Sequence, residues 1–158
     1  SFAKNNISKV DSIFLISLMI VDGTDNVNYF IYKFNISKKD QKRLKIINNF
    51  FNDKISSKSF SESNLNKLFY YNGKQAVTDI LSYKLFVSKK IDKKLINLLE
   101  IFKSKIMPIM PISAQILISE HNIPEGKTLG NKLKMIEEEW VNNNFKLSNK
   151  QINEIINR

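Results

Sequence analysis

Residues 123–140 read IPEGKTLGNKLKMIEEEW and hold two of the chain's four glycines, Gly126 and Gly130. Proline and glycine make a turn, and a helix starts at once. Leu129, Leu133, Ile136 and Trp140 are spaced four, three and four apart, which puts them in one stripe on one helical face. A glycine in the first turns of such a helix costs about 1 kcal/mol relative to alanine. That cost points to a close approach to the backbone at Gly130, by a neighbouring helix or by a ligand. Gly126, Lys127 and Gly130 could set helix N–H groups and a cation on one phosphate. A tight turn followed by close helix packing explains the same residues equally well.

Working outward, nearly every other segment has helical spacing. Ile91, Leu95, Leu98 and Phe102 repeat the four-three-four stripe within a helix expected over 90–105. Residues 8–22 are apolar almost all round, which predicts a central, buried helix ended by Gly23. A short helix is expected over 26–34, carrying Val27, Tyr29, Phe30, Ile31 and Phe34. Ser37 has the outline of an N-cap, with Asp40 favoured by the dipole, for a helix running to about Asp53. Residues 54–64 read as a loop, and helices follow over 62–72 and 74–87 with Gly73 between them. Pro108 and Pro111 exclude a continuous helix through 107–112. Ser113 and Ser148 are caps for helices over 113–121 and 148–158, on either side of the 127–144 helix. No strand-like alternation and no fixed-period repeat is present. The expected fold is all-α, a bundle of about nine helices without a sheet, divided into a basic region over 1–106 and a second over 107–158.

The 158 residues carry a formal net charge of +10. Residues 1–106 hold 19 Lys/Arg against 9 Asp/Glu, and residues 107–158 hold six of each. A basic half beside a neutral half suggests a polyanionic partner. However, Lys, Asn and Ile make up 66 residues while Ala supplies three, and such a bias loads surfaces with lysine whatever the function. With no cysteine, disulfides and thiolate metal sites are excluded, and a reducing cytoplasmic setting is the natural expectation. The longest apolar run, 13–21 interrupted by Ser17, is far short of the roughly 20 residues a membrane helix needs. It follows Lys4 and Lys9, but Asp22-Gly23-Thr24-Asp25 offers no small-residue cleavage site. A buried helix in a chain cut from something longer is the expectation, with no membrane partner.

Enzyme signals are missing: there is no Walker loop, no GxGxxG and no HExxH. Nor is there a D-x-D pair to hold the two metal ions of an in-line phosphoryl transfer. Asp22 and Asp25 bracket a helix end, where turn chemistry is their expected role. Glu137, Glu138 and Glu139 fan over a helical turn as a solvated face. His121, the only histidine, ends a helix where a cation suits the dipole. No catalytic residue and no metal ligand is therefore assigned. For binding, Lys38, Lys42 and Lys45 line one helical face away from Leu44, Ile47 and Phe51, with Lys39 and Arg43 beside them. Lysines in a first turn oppose the helix dipole unless an anion is near; a phosphate backbone would supply one, and a solvated face is the alternative. Tyr70 and Tyr71 could stack on bases or pack in a core.

Four blocks together resemble the body and tail of bacterial class II tRNA nucleotidyltransferases, the CCA-adding and poly(A) polymerase family. ISKKDQKRL over 36–44 is similar to the family's L-S-x-x-[DE]-x-x-R-L. LFYYNGKQAVTDIL over 68–81 is similar to L-L-Y-R-x-G-x-x-A-x-x-D-L-L, keeping Leu68, Tyr70, Gly73, Ala76, Asp79 and Leu81. Residues 124–140 follow P-x-G-x-x-[IL]-G-x-x-L-x-x-[IL]-E-x-x-W, and WVNNNFKLS over 140–148 matches W-x-x-x-x-F-x-L-[ST]. The blocks occur in the family's order and spacing across essentially the whole chain. Lys127 stands where the family has a proline, Gln115 where it has an acid, and Asn122 where it has a glycine.

The resemblance implies a helical region that grips the elbow and acceptor stem of tRNA. It also implies a catalytic head, absent from these residues, that would use Mg and CTP or ATP to extend tRNA 3′ ends. The chain itself would need no cofactor. Its partners would be tRNA and a head encoded in the same gene or separately. The rival expectation is a helical protein-interaction module that inherited this fold and does not meet RNA.

Overall fold

A computed structural model describes residues 11–53 and 57–157, all-α and without a strand among them. The start of the first expected helix, 8–10, lies outside the described residues, as do 54–56 in the expected loop. The chain divides into two compact units, Ser1–Lys105 and Ile106–Arg158.

The first unit contains α1 (Ser12–Ile20), α2 (Asn26–Lys33), α3 (Lys38–Asn52), a 3-10 turn (Ser57–Phe60), α4 (Glu62–Val87) and α5 (Lys93–Ser104). Helix α4 runs along α5 on one side and meets α1 and α3 on the other. Two apolar clusters result. Leu65, Phe69, Val77, Leu81 and Leu85 meet Leu95, Leu98, Leu99 and Phe102 between α4 and α5. Phe14, Val27, Leu44, Ile47 and Tyr83 close the space among α1 to α4. The Tyr83 hydroxyl donates to the Val21 carbonyl at 2.6 Å, so its one polar atom is satisfied in that core. Burial, joined by the charge of Asp22, raises the Tyr83 pKa.

Side-chain caps set most helix starts. Asp11 accepts from the Phe14 amide, Ser37 from Asp40, Ser61 from Asn64 and Asp92 from Lys94 and Leu95. Each satisfies amides that a helix start leaves unpaired. Gly73 is the one break inside a helix. At φ 85, ψ 174 it leaves helical geometry, and α4 continues beyond it. The two helices expected over 62–72 and 74–87 thus meet at the Gly73 break; counted as one run, Glu62–Val87, they leave eight α-helices among the described residues, close to the about nine expected.

The second unit contains α6 (Ala114–His121), α7 (Lys127–Asn142) and α8 (Asn149–Ile156), with α7 packed on both others. Leu117, Ile123, Leu129, Ile136, Ile152 and Ile155 form its core. Ser148 opens α8 with a full capping box, paired with Gln151. Asn122 closes α6 at φ 54, ψ 31. Asparagine tolerates this left-handed conformation better than most residues, so it fills a position where the resembled family has glycine. Trp140 is buried and its ring lies 5.0 Å from that of Phe145, whose amide donates to the Trp140 carbonyl at 2.8 Å.

Three expectations about packing need correction. Helix α1 is not buried all round: Phe14 and Ser17 are buried, while Met19 is 79% exposed. Ile91 is 62% exposed and precedes α5 instead of joining its inward stripe. At Gly130 an added Cβ would meet no described atom within 4 Å, so close helix packing does not explain that glycine.

Candidate nucleic-acid interface

Helix α3 is held in place by charge as well as by Leu44 and Ile47. Arg43, with its side chain 14% exposed, takes Asp79 of α4 through Nε to Oδ2 and through Nη2 to Oδ1 at 2.8 Å. The same guanidinium takes Asp11 through Nη1 and Nη2 at 2.8 and 2.7 Å. Asp11 in turn caps α1, and Gln75 donates to Asp79 at 2.9 Å. The Asp79 hydrogen bonds hold the Arg43 pKa above its usual range; partial burial works against them and the Asp11 contacts add to them. Burial acts to raise the Asp11 carboxyl, but the bonds from Arg43 and the Phe14 amide outweigh it and leave its pKa lowered. Planar, bidentate pairing of this kind is what arginine does and lysine does not. Arg43 therefore joins three helices, and its donors are taken up by carboxylates.

The four lysines around it are placed differently. Lys38, Lys39, Lys42 and Lys45 are all exposed, and none makes an ion pair or hydrogen bond with a described residue. Lys39 and Lys42 stand with Arg43, Ile46, Asn72, Gln75 and Ala76 around a cavity of about 150 Å³ between α3 and α4. Asn72 and Gln75 flank the Gly73 break, so the second half of α4 begins beside this cavity. Gly73 has open space where a Cβ would stand; its positive φ is what calls for glycine. Of the residues singled out from sequence, the structure thus brings Lys39, Lys42 and Arg43 together, with Lys38 and Lys45 on the same helix.

Gly126, Lys127 and Gly130 belong to the second unit. Gly126 is the cap of α7 at φ 134, and no side chain caps the amides that follow. Lys127 is exposed at the first helical position. Tyr70 and Tyr71 lie edge to face at 5.2 Å, Tyr70 half-buried and Tyr71 exposed. Asp22 accepts from Thr24 and Asn26, which is the turn chemistry expected of it.

One basic cluster escapes a motif-based search. The hollow where α4 meets α5 is lined by Lys84, Lys89, Lys90, Lys93 and Lys94, with Asp92 among them. The run KKIDKK over 89–94 signals it in the sequence. Unlike the α3 cavity, this hollow contains a carboxylate, which already serves the first amides of α5. Among the described residues no helix is long and apolar enough to cross a membrane, and no three acidic, histidine or cysteine side chains gather as a metal site. Comparisons with protein-family models, with curated proteins and with solved structures find no match to this chain.

Proposed function

We propose that this chain is the tRNA-binding body-and-tail region of a class II tRNA nucleotidyltransferase, of the CCA-adding or poly(A) polymerase kind. In this reading it grips tRNA while a catalytic head, in the same longer protein or in a separate chain, adds nucleotides. The observation that carries the RNA-binding part is the α3 face, where four exposed lysines have no acidic partner among the described residues and two of them border a cavity whose lining holds no carboxylate. Phosphates docked there would relieve the repulsion of Lys38 and Lys39 by the helix dipole. The family part rests on the four sequence blocks, and contacts within and between them fit a shared scaffold. Arg43 of the first block pairs with Asp79 of the second, and Trp140 packs on Phe145 within the last.

The test is a tRNA-binding titration of the full chain over a range of salt concentrations, with two triple variants. Each duplex phosphate contact contributes a slope of about −0.9 in log affinity against log salt. Replacing Lys38, Lys42 and Lys45 by Gln should weaken binding to different tRNAs equally and make the slope shallower by roughly two to three. Replacing Lys89, Lys90 and Lys93 by Gln removes the same charge from the α4–α5 corner and should leave the slope closer to the parent's. If the α3 variant binds like the parent at every salt concentration, α3 is not the interface. A parent chain that binds no tRNA, alone or with a head supplied in trans, removes the RNA-binding function.

A further inference from the structure

Helix α2 is amphipathic in an unusual way. Its inner side carries Val27, fully buried, with Phe30 and Ile31 packed against the core of the first unit. Its outer side carries Tyr29 and Tyr32, 58% and 89% exposed. Tyr29, Tyr32 and Lys33 are three and four residues apart, so they share one face. Neither tyrosine has a hydrogen bond or ring contact with any described residue, and Lys33 has no ion pair. Tyr32 adds little to the core, and more than half of Tyr29 is open to solvent. Two such rings on one face form a small aromatic platform.

Along the chain the platform is followed closely by the basic helix described above. Helix α2 ends at Lys33, and α3 begins at Lys38. Tyr32 and Lys38 are six positions apart, a reach of at most about 20 Å even for extended chain. Lys33, Lys38, Lys39, Lys42 and Lys45 thus lie on two successive helices joined by a short turn. The carboxylates nearest in sequence are Asp25, at the far end of α2, and Asp40, which accepts from the Ser37 hydroxyl at 2.6 Å. The local balance is strongly positive.

We propose that this α2 face binds unpaired nucleotides of an RNA, stacking bases on Tyr29 and Tyr32 while Lys33 and the α3 lysines take the adjoining phosphates. Exposed aromatic faces beside a cationic track are how proteins hold single-stranded or looped nucleic acid without reading its sequence. A purely phosphate-binding surface has no use for the rings. An apolar protein partner has no use for five uncompensated lysines. This inference rests on the RNA-binding reading of α3 and narrows it: duplex RNA meets only the lysines, and unpaired RNA meets both.

The experiment compares the full chain with Tyr29→Ala/Tyr32→Ala and Tyr29→Phe/Tyr32→Phe variants. The probes are a labelled single-stranded oligoribonucleotide of about twelve residues and a duplex of the same length, each titrated at two salt concentrations. Losing base stacking should weaken single-strand binding by about tenfold or more in the alanine variant. The phenylalanine variant should keep single-strand affinity, because a phenyl ring stacks without the hydroxyl. Duplex affinity and the salt slope should not change in either variant, because no phosphate contact is lost. An alanine variant that binds the single strand like the parent overturns the inference and leaves the RNA-binding reading standing. So does a parent that binds duplex alone. A parent that binds neither probe overturns both. If the double alanine variant fails to fold, Tyr32→Ala alone, at the more exposed ring, serves in its place with the same criteria.

Discussion

Helices α3 and α7 are close in length, 15 and 16 residues, and each is the charged amphipathic helix of its unit. Helix α3 holds Lys38, Lys39, Lys42, Arg43 and Lys45 against Asp40; α7 holds Lys127, Lys132 and Lys134 against three glutamates. In α7 the lysines are mostly occupied. Lys132 donates to the Ile155 and Ile156 carbonyls at 3.2 and 2.7 Å, where it satisfies the exposed end of α8. Lys134 lies 3.9 Å from Glu138, four residues on. In α3 the arginine is occupied, while Lys38, Lys39, Lys42 and Lys45 have no ion pair or hydrogen bond with a described residue. Counting cations therefore says less about function than asking which of them already serve the fold. By that measure the first unit keeps exposed cations that no described residue engages, while α7 spends much of its charge on its own unit.

The two helices are also anchored differently, and the largest effects should come from removing each anchor. Arg43→Met would leave Asp79, 4% exposed, with only Gln75 to donate to it. Stranding one partner of a buried ion pair costs about 3–5 kcal/mol. The thermal midpoint should fall by about ten degrees or more, while Asp11→Asn, at the 54% exposed arm of the same pair, should cost under about 1 kcal/mol. Equal small losses from both substitutions would show that the clamp does not hold α3. In α7 the corresponding anchor is Trp140. Trp140→Ala should cost about 3–5 kcal/mol, and it would also free Phe145, held at φ 65 beside the indole. An unchanged melting curve would mean that the other residues of the apolar stripe, and not the indole, hold α7.

Much of this contrast could be read from the sequence, because it depends on local signals. Ser37, Ser113 and Ser148 cap helices where short-range rules place them, and the Leu129–Trp140 stripe is buried at Leu129, Ile136 and Trp140. Misreadings arise where tertiary packing decides. The apolar run in α1 gives no sign that Met19 faces water, and the spacing of 26–34 does not tell the exposed Tyr29 from the buried Val27. Arg43 reads as one more cation of a basic helix, because the carboxylate that claims it is 36 residues away. Composition cannot separate a lysine that caps a carbonyl from one that faces solvent.

A middling effect should come from the break beside the α3 cavity. Gly73→Ala places a Cβ at φ 85, where an L-residue costs roughly 1–2 kcal/mol. Destabilisation in that range, with nothing near the new methyl to clash, would show that conformation alone demands this glycine. A neutral result would show that α4 can straighten, and the cavity lined by Lys39 and Lys42 would then change shape with it.

The smallest effect should be at Gly130, and it has the opposite sign. This glycine has no positive φ, and a Cβ there would meet no described atom. Alanine in the same helical position should therefore stabilise α7 by about 0.5–1 kcal/mol, through the lower entropy of the unfolded chain and the better helix propensity. A gain in thermal midpoint with unchanged tRNA affinity would mean that the glycine serves neither packing nor binding, and that α7 differs from α3 in having no ligand to admit. A gain in midpoint combined with weaker tRNA binding would mean the reverse. Some group of the RNA would then approach the backbone at the start of α7, and the methyl would stand in its way. That outcome would extend the interface to Gly126 and Lys127 and give the second unit a share in holding tRNA. A loss of stability would contradict the open surroundings of Gly130 and require a contact from residues outside those described.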